Sequence, residues 1–252
     1  MWMRVMWDNP RLLNLAANAL FALALVLFGY AAMQSLLRSS LFPLREIVVQ
    51  GALQNAAREE IENAVEGVGG NFFAADLGAV RAKLEQVPWV RRVDVRRVWP
   101  DRLAVQIEEH VAFARWGRFE DDLRSSGFVN TFGEPFSAPF DKESAARLPL
   151  LAGPAGTEAD LARRYRRFRD LLAPLEDTPD RLVLTTRHAW QLHLASGLDI
   201  ELGRDGNDGV EQRLARFVAA YPESIGKLAR KYEHVDLRYP NGFALRVAGW
   251  KS

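Results

Sequence analysis

The residues best suited to chemistry in this chain are few and scattered. Its four histidines are His110, His188, His193 and His234, and none has the His-Glu-x-x-His spacing that sets two imidazoles on one helix face around a metal. His188 and His193 are an odd number of residues apart, so on a strand they point to opposite faces. The absence of cysteine removes thiolate zinc sites, cysteine nucleophiles and disulfides together, and leaves the redox compartment unmarked. Gly67-Val68-Gly69-Gly70 lacks the lysine and preceding strand of a phosphate-cradling loop. Asp205-Gly206-Asn207-Asp208-Gly209 offers oxygen ligands without the closing glutamate of a calcium loop. Asp121-Asp122 is an ordinary surface pair, and no Gly-x-Ser-x-Gly elbow occurs. These patterns predict no catalytic residue, no metal and no cofactor.

Recognition by charge is the other chemistry on offer. Lys+Arg number 33 against 32 Asp+Glu, so no global field draws the chain to nucleic acid. Locally, Arg163, Arg164, Arg166, Arg167 and Arg169 crowd a helix expected from Thr157 to Leu172, whose apolar face is Leu161, Tyr165, Phe168, Leu171 and Leu172. Such a cluster suits phosphates or a partner's acidic patch. The plainer reading, which we favour, is the solvated face of an amphipathic helix.

Positioning begins with the stretch Leu12–Leu37, which contains no charged side chain and is fully apolar from Ala19 to Met33. As a helix it would run about 39 Å, more than the roughly 30 Å hydrocarbon core of a bilayer. A cleaved signal peptide has an apolar core of roughly 7–15 residues and a small-x-small cleavage site, and a buried core helix would be shorter or show a polar face. A retained anchor fits better than either. It would leave a short cytoplasmic tail at 1–11 and export everything that follows, although the flanking charges are nearly balanced and set no orientation. Asn14 and Asn18 share one face of this helix, which suits either a helix–helix contact inside the membrane or two amides at headgroup depth.

Beyond Pro43, Leu44–Gly51 reads as a strand ending in a glycine turn. Asn55 is the expected cap of a helix carrying Ile61, Ala64, Val65 and Val68, and Asp76 that of a second carrying Leu77, Val80 and Leu84. Val93 and Val95 alternate with Arg92, Asp94 and Arg96. Leu103, Val105 and Ile107 alternate with Ala104, Gln106 and Glu108. Both runs have the period of half-buried strands, and Pro100-Asp101 is the turn between them. A hairpin centred there sets Arg92 opposite Glu108, an opposite-charge pair on the wet face.

From Ala112 the pattern turns β-rich. Short strands are expected around Phe128-Val129-Asn130 and Leu148–Leu151, and a meander at Arg181–Leu184, Trp190–Leu194 and Leu198–Leu202. A second helix is expected from Val210 to Tyr221. A last hairpin joins His234–Tyr239 to Phe243–Val247 through Pro240-Asn241-Gly242.

The order strand, helix, helix, strand, strand, with Pro88-Trp89-Val90, Val93, Val95, Trp99-Pro100-Asp101, Leu103, Val105 and Ile107-Glu108, resembles a POTRA (polypeptide-transport-associated) domain. More narrowly it resembles that of the bacterial cell-division family FtsQ/DivIB. The second half is similar to the β-domain of the same family in Trp190-Gln191-Leu192, Leu202-Gly203-Arg204, Arg213–Val218, Tyr221-Pro222 and Val235–Tyr239 ahead of Gly242. The resemblance implies an α+β chain: a single N-terminal transmembrane helix at 12–37, a POTRA domain at 44–111, and a mostly antiparallel β-domain with two helices at 112–252. It further implies a non-enzymatic divisome scaffold in the inner membrane, its C-terminal domain in the periplasm at the septum, with FtsB and FtsL bound along a C-terminal sheet edge by β-augmentation. Arg187, Tyr239, Gly242 and Trp250 are the contact positions so implied. The alternative is another POTRA-bearing component of envelope transport or outer-membrane assembly, but the repeated POTRA units and membrane barrel usual in such proteins do not occur.

Overall fold

The apolar run forms one helix, α1 (Pro10–Arg38). The computed structural model describes residues 10–39, 42–68, 70–118, 125–206, 209–223, 232–239 and 242–247. Within Pro10–Leu36 the most apolar 18-residue window of α1 has a mean hydropathy of 2.1, and the rest of the chain covers none of it. Leu15, Phe21 and Phe28 all stand exposed. A helix apolar and uncovered all round is matched to hydrocarbon, and α1 has the length and composition of a single membrane span.

The chain divides into two compact units, Met1–Glu109 and His110–Ser252. In the first, α1 is followed by β1 (Glu46–Gln50), α2 (Arg58–Val65), α3 (Leu77–Leu84), β2 (Val90–Val98) and β3 (Arg102–Glu109). The sheet order is β1-β3-β2, with β1 parallel and β2 antiparallel to the central β3. Inward-facing Val93, Leu103, Val105 and Ile107 are buried together with Ile61, Val80 and Leu84 from the helices. Asp76 caps α3, its Oδ1 accepting the Ala79 N–H at 3.0 Å.

Two local expectations for this unit are corrected. Asn55 caps nothing: α2 starts at Arg58 behind Ala57, without a side-chain cap. The backbone amides of Gln54, Asn55 and Ala56 instead donate to the Glu109 carboxylate at 2.9–3.3 Å. Successive N–H groups converging on one anion form a nest, and holding it keeps these residues out of the helix. The hairpin register does set Arg92 opposite Glu108, but a bulge between Val90 and Arg92 makes Arg91 the extra residue. A bulge re-aims its side chain, and it is the Arg91 guanidinium that reaches Glu108 at 2.7 Å.

The second unit runs β4 (Ala112–Arg118), β5 (Ser125–Asn130), β6 (Pro135–Phe136), α4 (Lys142–Ala146), β7 (Leu150–Gly153) and α5 (Glu158–Leu172). After a 3₁₀ turn at Ala173–Leu175 come β8 (Pro179–Leu184), β9 (Ala189–Leu194), β10 (Asp199–Arg204), α6 (Val210–Ala220), β11 (Tyr232–Asp236) and β12 (Ala244–Val247). The strands join in one nine-stranded sheet, ordered β12-β11-β10-β9-β8-β7-β4-β5-β6. Most neighbours are antiparallel, but β4–β7, β7–β8 and β10–β11 are parallel. Parallel neighbours need a crossover, and α5 and α6 are those between β7 and β8 and between β10 and β11. Leu161, Phe168, Leu214 and Phe217 of these helices pack with Leu182, Leu192, Ile200 and Val235 of the sheet in one buried core. Each such side chain gains about 1.5–3 kcal/mol from leaving water. β7 begins two residues after the expected Leu148, because the Leu148 amide is spent on the Ala145 carbonyl at the end of α4, Pro149 has no N–H, and their carbonyls go to the Arg115 side chain and amide.

The arginines of α5 are not simply a wet face. Arg164 pairs with Asp205 at 2.8 Å and lies 5.3 Å from the Trp190 ring centroid. Arg166 donates to the Thr131 carbonyl and stacks 4.4 Å from the Phe113 ring. Arg167 pairs with Glu211 of α6. Once long side chains can lie back along aromatic surface, charge density on a helix no longer reports exposure.

Candidate functional site

The order of the sheet ends at β12. Among the described residues β12 has one neighbouring strand, β11, paired antiparallel from Asp236↔Ala244 to Tyr232↔Val247. Its packing side is anchored by Leu245 and Phe243 against the core, and the Phe243 ring meets Phe217 edge-on at 5.6 Å.

Behind this edge lies a polar lock. Asp236, 8% exposed, accepts from Arg238 through both oxygens, Nε to Oδ1 at 2.9 Å and a terminal nitrogen to Oδ2 at 2.6 Å. The Arg238 amide adds a third bond to Oδ1 at 3.0 Å. These Arg238 hydrogen bonds hold the Asp236 carboxyl below the usual carboxylate range, against the opposing pull of burial. Arg238 is in turn held more firmly protonated. Its stem lies over Gly203, where a Cβ would come within 2.8 Å of Arg238 Cγ. Gly203 sits at a bulge of β10 with φ +76°, a left-handed conformation in which a side chain is strained. From α6, Arg213 donates to the carbonyls of Leu202 and Arg204 at 2.6 and 2.9 Å, satisfying backbone that the bulge leaves out of the ladder. The Leu237 amide closes the arrangement on the Glu201 carbonyl at 2.9 Å. The chain leaving β11 is thereby fixed up to Tyr239, whose side chain is 55% exposed.

Arg187 lies in the tight turn between β8 and β9, closed by the His188 amide on the Thr185 carbonyl at 2.8 Å. With Gly203, Arg204, Arg213 and Arg238 it lines an open cleft of about 880 Å³ in which arginine outweighs the acids Glu201 and Asp205. Gly242 lines an adjoining depression of about 280 Å³ with Arg216, Phe217 and Phe243, and Arg213 borders both. The fold thus places Arg187 on the same cleft as Arg238, the residue that precedes Tyr239, and sets Gly242 on the adjoining hollow. An added Cβ at Gly242 meets nothing within 4 Å. Trp250 and the Pro240-Asn241 part of the last turn lie outside the described residues. Asn14 and Asn18 are both exposed on α1.

Among the described residues the arrangement offers a terminal strand with one partner, an exposed aromatic ring and a basic cleft, which suits holding an extended peptide. No group of three or more His, Asp or Glu suited to a metal occurs among the described residues. The Asp236–Arg238–Gly203–Arg213 lock went unassigned in the sequence reading. Its signal there is that Leu202-Gly203-Arg204, Arg213–Val218 and Val235–Tyr239 carry the family resemblance.

Comparison with known proteins agrees with this architecture. Residues 42–110 match the FtsQ-type POTRA domain, and residues 114–238 match the family described as cell division protein FtsQ/DivIB, C-terminal. The chain is 42% identical to the cell division protein FtsQ of Burkholderia pseudomallei, over 98% of this chain and 96% of that one. It is 36% identical to FtsQ of Nitrosospira multiformis, over 96% and 99%, and 32% identical to FtsQ of Escherichia coli, over 82% and 73%. The chain belongs to the FtsQ/DivIB family of cell-division proteins.

Proposed function

From that membership we propose that this protein is a non-enzymatic scaffold of the bacterial divisome, held in the inner membrane by α1 with both folded units on the periplasmic side at the septum. In this reading 1–11 is a cytoplasmic tail, 44–111 the POTRA domain and 112–252 the partner-binding β-domain. The FtsB–FtsL pair is bound at the β12 edge, where an extended partner segment adds a further strand and main-chain hydrogen bonds supply the affinity. Tyr239, Gly242 and Arg187 give the edge its selectivity, with Trp250 at the end of the same segment. The observation that carries this reading is the terminal position of β12 in the sheet, beside an exposed tyrosine and a basic cleft.

The test is binding of the full-length protein, in nanodiscs, to the FtsB–FtsL pair. Tyr239→Asp and Gly242→Lys fall on an exposed ring and an open Cβ direction, so both should fold. Each is expected to weaken binding at least tenfold, about 1.4 kcal/mol. Unchanged affinity in both would defeat the edge model. Depletion should leave cells as undivided filaments, and normal division on depletion would remove the divisome role itself.

A further inference from the structure

The end of α1 is tied directly into the first folded unit. Asn71, 8% exposed, donates its amide to the Leu36 and Ser39 carbonyls at 3.2 and 2.8 Å, and the Leu36 carbonyl also accepts the Ser39 amide and hydroxyl. The Phe72 amide donates to Phe42 O at 2.7 Å, and the Leu44 amide to Gly70 O at 2.9 Å. At this tie sits an aromatic cluster. Phe42 meets Phe73 at 5.2 Å and Trp99 at 6.1 Å between centroids, and Phe72 meets the same two rings at 5.2 and 6.1 Å. Arg97 holds the loop in place by donating to the carbonyls of Phe72, Phe73 and Ala75.

Only part of this cluster is core. Phe72 is buried, whereas Phe73 is 44%, Trp99 66% and Val98 38% exposed. Single exposed apolar residues need no explanation, but Phe73 and Trp99 are joined through Phe42, with Val98 next to Trp99 in the chain, and such a group marks a surface meant to be covered. Its position says by what. The 27 residues Pro10–Leu36 make about 40 Å of helix, close to the roughly 40–45 Å of a bilayer with its headgroups. The carbonyls to which Asn71 donates therefore emerge at headgroup depth, and the aromatic group lies beside them. Tryptophan at that depth keeps its ring in the acyl boundary and its N–H among polar groups. The strands carry the opposite end of the sheet away. β1 leaves the Trp99–Arg102 end at Glu46 and runs toward Glu109, so Gln54 lies roughly 20 Å or more from the cluster.

We propose that Phe42, Phe73, Val98 and Trp99 form a lipid-facing foot that seats the first folded unit on the outer surface of the bilayer, so that α1 and the foot together fix how the unit stands. The proposal rests on α1 spanning the membrane, and the test separates the two. The chain has no cysteine, so a single introduced one carries a unique nitroxide label. Full-length Val98→Cys, Gln54→Cys and Phe28→Cys proteins are each labelled and reconstituted into phosphatidylethanolamine–phosphatidylglycerol vesicles without other proteins. Collision rates with oxygen and with a water-soluble nickel chelate are then measured. The Val98 label should collide with the chelate several-fold less often than the Gln54 label, and adding Phe73→Ser and Trp99→Ser should bring it to the Gln54 value. A Val98 label as wet as Gln54 in lipid alone overturns the proposal, leaving the patch to a protein partner. Protection that survives the double serine substitution overturns the role of the rings. A water-exposed Phe28 label overturns the span itself, and the foot with it.

Discussion

The two ends of the nine-stranded sheet treat the same problem in opposite ways. At one end β6 is two residues long, begins with a proline that has no N–H to offer, and is clamped from behind. Asn130, fully buried, bonds the amides of Phe132 and Glu134, the Glu134 carboxylate and His110, while the His110 ring stacks on Phe136 at 4.3 Å. At the other end β12 offers four residues of strand with Ala244 and Arg246 outward. Short, proline-bearing edges resist pairing with another chain, and longer flat ones invite it. The difference teaches that an edge is a choice: this fold shortens and clamps one, and among the described residues β12 ends the other with a single partner strand.

The contrast can be broken at its supports. The largest effect is expected from Phe217→Ala, which empties the packing beneath Phe243 and β11 and should cost about 3–5 kcal/mol in urea unfolding of the full-length protein. Asn130→Ala should cost about 1–3 kcal/mol, because it removes a fully buried amide and leaves the Phe132 and Glu134 amides without their acceptor. Gly203→Ala forces a side chain into a left-handed position against Arg238 and should cost about 1–2 kcal/mol, with weaker FtsB–FtsL binding if the lock aligns the open edge.

A smaller effect concerns acid. Asp236 titrates below its unfolded value of about 4, so its contribution is present above that pH and is lost as pH falls through the lower folded value. Thermal stability measured below about pH 4 should therefore decline less steeply in Asp236→Asn than in the wild type. The smallest expected effect is none at all. Pro135→Lys alters an exposed residue of the closed edge and should leave FtsB–FtsL affinity unchanged, and a loss equal to that of Tyr239→Asp would erase the distinction between the two edges.

Much of this was legible in residue order, and the failures share a cause. The period-two runs around Val93 and Leu103 set the hairpin and its register because alternation and a turn are local properties. The apolar helix was legible from length alone. Asn55 misled because a distant carboxylate, Glu109, outcompeted the helix for the amides around it. Arg163, Arg167 and Arg169 of α5 are exposed as a wet face requires, whereas Arg164 and Arg166 depart from it because Trp190 and Phe113, over which they lie, arrive from distant strands. Arg187, Tyr239 and Gly242 stood out only through family resemblance, and nothing local to them says that one cleft reaches Arg187 and Arg238 together.

The sequence by itself determined a long apolar helix, two successive folded regions, the types of most elements and the pairing of consecutive strands, since propensity, periodicity and turn chemistry act over a few residues. Tertiary structure alone decided that β4 skips to β7, that β7–β8 and β10–β11 run parallel through crossover helices, and hence that β12 finishes at an edge. It alone also brought Asn71, Phe72 and Trp99 to the end of α1. A strand's period says which side is buried but not which neighbour it meets or in which direction, because those are settled by contacts that form only when the whole sheet closes on its core.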